Sequence, residues 1–228
     1  MSKSKRDTKP DSKKADRGEA PALMEPLVLS SESKHRPALT DLALEVAVRS
    51  AGLRSSLPPG IRAALAELVR AMNCYYSNLI EGHVTHPIDI ERALKKDYET
   101  DRGQRDLQLE ALAHIAVQEW IDLGGLKGRV VNVESIREIH RRFREQLPPD
   151  LLMVNDPDTG ETLELVPGEL RTRYVKIGRH VAISPGAVPR FLTRYEHVYG
   201  NLGHIDTVIA PAATHHRLVW IHPFPGCE

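Results

Sequence analysis

Apolar residues return at three- and four-residue intervals along most of the chain and alternate in only one short stretch, which predicts a mainly α fold with one small β-hairpin. From Ile61 to Ile80, Leu65, Leu68, Val69, Met72, Tyr76 and Leu79 mark one helix face, with Pro58, Pro59 and Gly60 punctuating its start. A second helix is expected from about Ile88 to Lys96. In a third, Leu109, Leu112, Ala116, Trp120 and Leu123 share a face before Gly124 and Gly125 end it. Asn132 is a plausible N-cap for the next, where Ile136, Ile139, His140, Phe143 and Leu147 keep the period until Pro148 and Pro149. Between Leu163 and Ile183 the helical period vanishes: Val175 with Ile177, then Val181 with Ile183, alternate across Gly178-Arg179, which reads as a hairpin. Val188, Leu192, Tyr195 and Tyr199 restore the helical spacing, and a last helix is expected from Asp206 to Ile221.

Charge changes this picture only at the beginning. Residues 1–22 hold seven Lys/Arg and four Asp/Glu with almost no bulky apolar side chain, too little to offset the entropy of ordering. The expected organisation is a disordered charged tail over 1–38, an N-terminal helical region over 39–128 and a second helical region over 129–228. Over the whole chain 31 basic residues balance 31 acidic ones, so no net field favours nucleic acid or an anionic membrane. Two cysteines, Cys74 and Cys227, cannot build a dense disulfide framework, and no apolar run is long enough to span a bilayer. A cytoplasmic protein without a membrane partner is expected.

Two strings carry candidate chemistry. Ser77 and Glu81 are four apart, so they share a helix face, and Gly82 suits the left-handed turn that ends a helix. By itself this pattern is equally that of an ordinary solvated helix end. At the other end of the chain an apolar helix delivers His222, Pro223 and Phe224. An imidazole whose pKa lies near neutrality can take a proton from a hydroxyl. Together His204, His215, His216, His222 and Cys227 raise a metal reading, but adjacent His215 and His216 point in different directions and no acidic helper is near, so no metal ligands are assigned.

The two strings, with Pro167-Gly168-Glu169-Leu170-Arg171 and the hairpin between them, resemble the Fic (fido) family in order and spacing over roughly Leu57 to Phe224. The resemblance implies a Fic-fold helical bundle with a hairpin flap, and transfer of AMP from ATP, with Mg2+, to a hydroxyl of a target protein. It implies His222 as the catalytic base, supported by Pro223 and Phe224. Ser77, Glu81 and Gly82 correspond to the family's inhibitory motif, in which the glutamate points into the nucleotide site. Val175, Lys176, Ile177, Gly178, Val181 and Ile183 correspond to the flap whose edge binds the target by strand addition. After Pro225 the family continues with an acidic residue, a small residue, Asn and Arg, whereas this chain has Gly226, Cys227 and Glu228. The expectation is therefore an autoinhibited-class transferase cut short within its motif and inactive as written. The alternative is a non-catalytic helical module that binds a protein partner or itself.

Overall fold

The computed structural model describes residues 15–83, 85–155 and 160–225. It is mainly helical, with eight α-helices and two separate two-stranded antiparallel sheets among the described residues. The helices are α1 (Arg36–Ser56), α2 (Pro59–Ile80), α3 (Pro87–Leu94), α4 (Arg102–Asp122), α5 (Val133–Arg144), α6 (Val188–Tyr199), α7 (His204–Ile209) and α8 (Pro211–Ile221). Strands β1 (Met153–Asn155) and β2 (Thr162–Glu164) pair with each other, as do β3 (Lys176–Ile177) and β4 (His180–Val181). No helix among the described residues is long and apolar enough to cross a membrane.

The chain forms two compact units that interleave in sequence. One gathers Met1–Asp41, Val131–Val133 and Leu170–Glu228; the other gathers Leu42–Val130 and Glu134–Glu169. A division in chain order near residue 128 is therefore not the one that packing makes: 134–169 packs with the earlier helices.

The second unit is built around α2, α3 and α4. Cys74, Ile90, Ala111 and Ile115 are buried together, with Ala71 and Tyr75 packed against them. Gln108 is buried with both ends of its amide engaged: its NH2 donates to Asp89 O at 3.1 Å and its carbonyl accepts from Glu99 N–H at 2.8 Å. One side chain on α4 thus ties down both ends of the α3 region, satisfying polar groups that would be costly if buried alone. Asp101 caps α4 by accepting from Gln104 N–H at 2.9 Å.

In the first unit, α6 buries Val188, Phe191, Leu192, Tyr195 and Tyr199, the stripe its helical spacing requires, and α8 packs against it. The expected single helix from Asp206 to Ile221 is instead α7 and α8, separated at Ala210. Pro211 has no N–H to continue the ladder, and its fixed φ suits the first turn of a new helix.

The expected tail also needs correction. Residues 1–14 lie outside the described residues, but from Ala15 onward the segment is held by specific contacts. Glu19 accepts from the Ser184 N–H at 3.0 Å and from its hydroxyl at 2.5 Å, and Arg17 N–H donates to that hydroxyl at 3.1 Å. Arg190 donates to Asp16 at 2.7 Å and to Glu19 O at 2.7 Å. The Arg190 hydrogen bond drives the Asp16 carboxyl down to about 2. Composition predicted disorder because these anchors are ionic and lie more than 160 residues away.

Candidate functional site

The candidate site is the end of α8. Its core-facing Ile221 is buried, and the helix closes on His222, whose backbone is left-handed with φ 48° and ψ 70°. A non-glycine residue meets a steric cost of about 1–2 kcal/mol there, so something must hold it. The His222 N–H still makes a regular helical bond to Leu218 O at 3.0 Å. Pro223 follows as a buried residue, and Phe224 is half-buried.

The carbonyls at this helix end converge on Arg171, which is 3% exposed. Its Nε donates to His222 O at 2.7 Å, and Nη2 donates to Ile183 O at 2.6 Å and to Ile221 O at 3.3 Å. Nη1 donates to Arg173 O at 2.9 Å, while the Arg171 backbone N–H donates to Pro223 O at 2.9 Å. Burial lowers the Arg171 pKa to about 10, still well above neutrality, so the guanidinium remains charged. In the sequence Arg171 stands out only as the end of the Pro167–Arg171 string. Its helix-end partners, Ile221, His222 and Pro223, lie about 50 residues away, and no local pattern marks them.

The His222 ring is half-buried, and its Nε2 is shielded with no hydrogen-bond partner among the described residues. Burial, then the charges of Arg171 and His180, push its pKa below the ordinary histidine value. At neutral pH the ring is a neutral imidazole with an acceptor nitrogen. His180 lies beside the same helix: its Nε2 is 2.8 Å from Trp220 O, and its ring stands 5.6 Å from that of Trp220.

The hairpin before α6 is shorter than expected. Lys176 pairs with Val181 and Ile177 with His180 around a two-residue turn whose Gly178 has φ 56°, and Ala182 N–H extends the ladder to Val175 O at 3.1 Å. Lys176 and Val181 are exposed, Val175 and Ile177 are half-buried, and Ile183 is buried with its carbonyl on Arg171. Of the six residues expected to form a docking flap, Ile183 therefore belongs to the support. The β1–β2 hairpin went unforeseen because each strand half-buries a single side chain, Val154 or Leu163, so no alternating apolar pair like Val175 with Ile177 marks it.

Ser77, Glu81 and Gly82 lie in the other unit, at the end of α2. Ser77 and Glu81 are exposed, and Gly82 has φ 81°. His83 N–H reaches Asn78 O at 2.8 Å and Gly82 N–H reaches Leu79 O at 3.2 Å, a Schellman closure that explains the glycine. His215 and His216 are exposed on α8. Gly226, Cys227 and Glu228 lie outside the described residues.

The helix that ends in His222 and the hairpin that precedes it fall within one recognised segment. Residues 130–226 match the Fic/DOC family. This chain is also similar to the protein adenylyltransferases Fic of Drosophila erecta and Drosophila virilis, each 28% identical over 153 residues. That of Drosophila melanogaster is 27% identical over 153 residues. Each match covers 66% of this chain and 28% of the relative, so the chain spans under a third of the length of the relatives it matches. Arg171 and His222 fall inside the Fic/DOC match, and the Ser77–Gly82 string falls outside it.

Proposed function

We propose that this chain is a Fic-type protein adenylyltransferase with His222 as its general base. The target hydroxyl oxygen attacks the α-phosphorus of ATP, the new P–O bond forms as the bond to the β-phosphate breaks, and pyrophosphate leaves. The hydroxyl proton passes to an imidazole nitrogen of His222. The observation that carries the reading is a half-buried histidine, held at a helix end in a left-handed backbone, whose Nε2 has no partner among the described residues. The adenylyltransferase relatives support it.

In this reading Lys176 and Val181, exposed on the hairpin, meet the target segment by strand addition, with Val175, Ile177 and Gly178 shaping the edge. Glu81 is the inhibitory carboxylate, with Ser77 and Gly82 setting the helix end that carries it. Among the described residues no group of three His, Cys, Asp or Glu side chains could hold a metal, so no residue is assigned to Mg2+ and no step runs through it. Gly226 provides no carboxylate where the family has one, and transfer is accordingly weak. The buried free thiol of Cys74 fits a reducing, cytoplasmic setting.

The test is transfer of label from ATP radiolabelled at the α-phosphate to protein. The 228-residue chain should label weakly, Gly226→Asp should label more strongly, and His222→Ala should remove the signal from both. Labelling that survives His222→Ala sinks the assignment of the base. Raising transfer in the Gly226→Asp background by Glu81→Gly is the outcome that supports an inhibitory Glu81; an unchanged rate leaves it an ordinary helix cap.

One observation favours a second reading as a binding module. Along α1 and α2, Val46, Leu53, Ile61 and Leu68 are each more than half exposed, an apolar surface suited to a protein partner or a second copy. Size-exclusion chromatography checks it: a monomer at all concentrations removes the self-association branch.

A further inference from the structure

We infer that Arg171 is the positioning residue of His222, gripping the last carbonyls of α8 so that the histidine backbone stays left-handed and its imidazole keeps one direction. The inference rests on the reading of His222 as the base, but its geometry stands apart from any assay of transfer. A helix ends with carbonyls that lack partners, and a non-glycine residue at φ 48° relaxes towards ordinary backbone unless its neighbours prevent it. Arg171 supplies that restraint from both sides of the imidazole. Nε holds His222 O at 2.7 Å and the backbone N–H holds Pro223 O at 2.9 Å, so the peptide groups before and after Pro223 are fixed by one residue. Nη2 adds Ile221 O at 3.3 Å, the carbonyl just before the histidine.

The same guanidinium reaches the hairpin. It donates to Ile183 O, at the hairpin exit, at 2.6 Å, and to Arg173 O, ahead of its entry, at 2.9 Å. Both feet of the proposed docking hairpin and the backbone of the proposed base therefore share one rigid planar group. Lysine cannot substitute: its three donors radiate from a single nitrogen and cannot span carbonyls arranged around a fork. The role is that of positioning, since Arg171 acts on His222 through main-chain atoms.

The decisive comparison is Arg171→Lys, which keeps the charge and removes the fork, followed by NMR of protein labelled with 13C and 15N at histidine. With thermal unfolding confirming a folded variant, the His222 Cα and Cβ shifts should leave left-handed values and its ring signals should broaden or split. His140 signals, from the other unit, should stay in place. Unmoved His222 shifts in a folded Arg171→Lys protein overturn the inference. If that variant does not fold, the unaltered protein decides: the Arg171 Nε–H proton should exchange far more slowly than that of a free arginine and show scalar coupling to the His222 carbonyl, and free-arginine exchange overturns the inference. Where transfer is measurable in the Gly226→Asp background, Arg171→Lys should lower kcat by about 10-fold or more, as a misaimed base does, and raise KM for the target as the feet of the docking hairpin loosen. Absence of transfer in every variant would count against His222 as the base while leaving the NMR result to judge Arg171.

Discussion

Among the helices that close on a residue with positive φ, α2 and α8 do it by opposite means. At the end of α2 the left-handed residue is Gly82, and the helix closes on itself through His83 N–H to Asn78 O and Gly82 N–H to Leu79 O. At the end of α8 it is His222, held by Arg171 from about 50 residues away. The first arrangement is local and cheap, because glycine meets no Cβ penalty in this region. The second needs long-range support and keeps an imidazole where an unstrained sequence would have glycine. Lys96 and Lys127 also carry positive φ, so strain alone does not mark a function; at His222 it coincides with a long-range clamp and a side chain capable of acid–base chemistry.

The contrast predicts its own largest failure. Arg171→Ala strands several buried carbonyls and should cost about 3–5 kcal/mol in denaturant unfolding, since each buried group left unpaired costs roughly 1–3 kcal/mol. Glu81→Ala, at the exposed end of α2, should change stability by less than about 0.5 kcal/mol. Equal losses from the two substitutions would erase the distinction.

Acid should act next. His140 on α5 accepts from Gly168 N–H at its Nδ1, 2.9 Å away, and burial followed by the charge of Arg144 lowers its pKa to about 4. The folded value lies below the unfolded one, so the unfolded state binds the proton first. The contribution to stability is full above about pH 6.5 and is lost progressively as pH falls towards 4. His222 shifts in the same direction. The denaturant midpoint should therefore drop between pH 7 and pH 5, and His140→Gln should flatten part of that drop. A midpoint that rises on acidification contradicts the sign.

The smallest effect is the most direct test of strain. Gly82→Ala should destabilise by about 1 kcal/mol, because a side chain enters a left-handed site. His222→Gly should be more stable than His222→Ala by a similar amount, because the first relieves the strain and the second keeps it. Circular dichroism melts of the three variants, at matched concentration, give the comparison.

How much of this was legible in the sequence depended on whether a pattern was local. The face of α6 could be read from Val188, Leu192, Tyr195 and Tyr199, and the hairpin from Val175, Ile177 and the Gly178 turn, because each is a spacing of a few residues. Helix α1 was not legible: Leu42, Leu44, Val46 and Val48 alternate at intervals of two and are exposed, and only Ala43 is buried. Its helicity does not show in a hydrophobic stripe. His222 was legible as a candidate through the helix that delivers it. Its left-handed backbone and its clamp were not, because they arise from tertiary contacts that no window of neighbouring residues contains.

The contact of Glu19 with Ser184 also orders events in time. Chain synthesis delivers Asp16–Glu19 some 165 residues or more before Ser184 and Arg190, so the early segment has no anchor until those residues have emerged. Closing so long a loop is entropically late and slow. The helices around Cys74, Ile90 and Ile115, whose partners lie within a few dozen residues, face no such wait. On the ribosome these helices should be settled before the strand of chain carrying Glu19 finds its seat. A nascent chain stalled before Ser184 should therefore remain open to protease at 15–19 while already protected around α2 to α4.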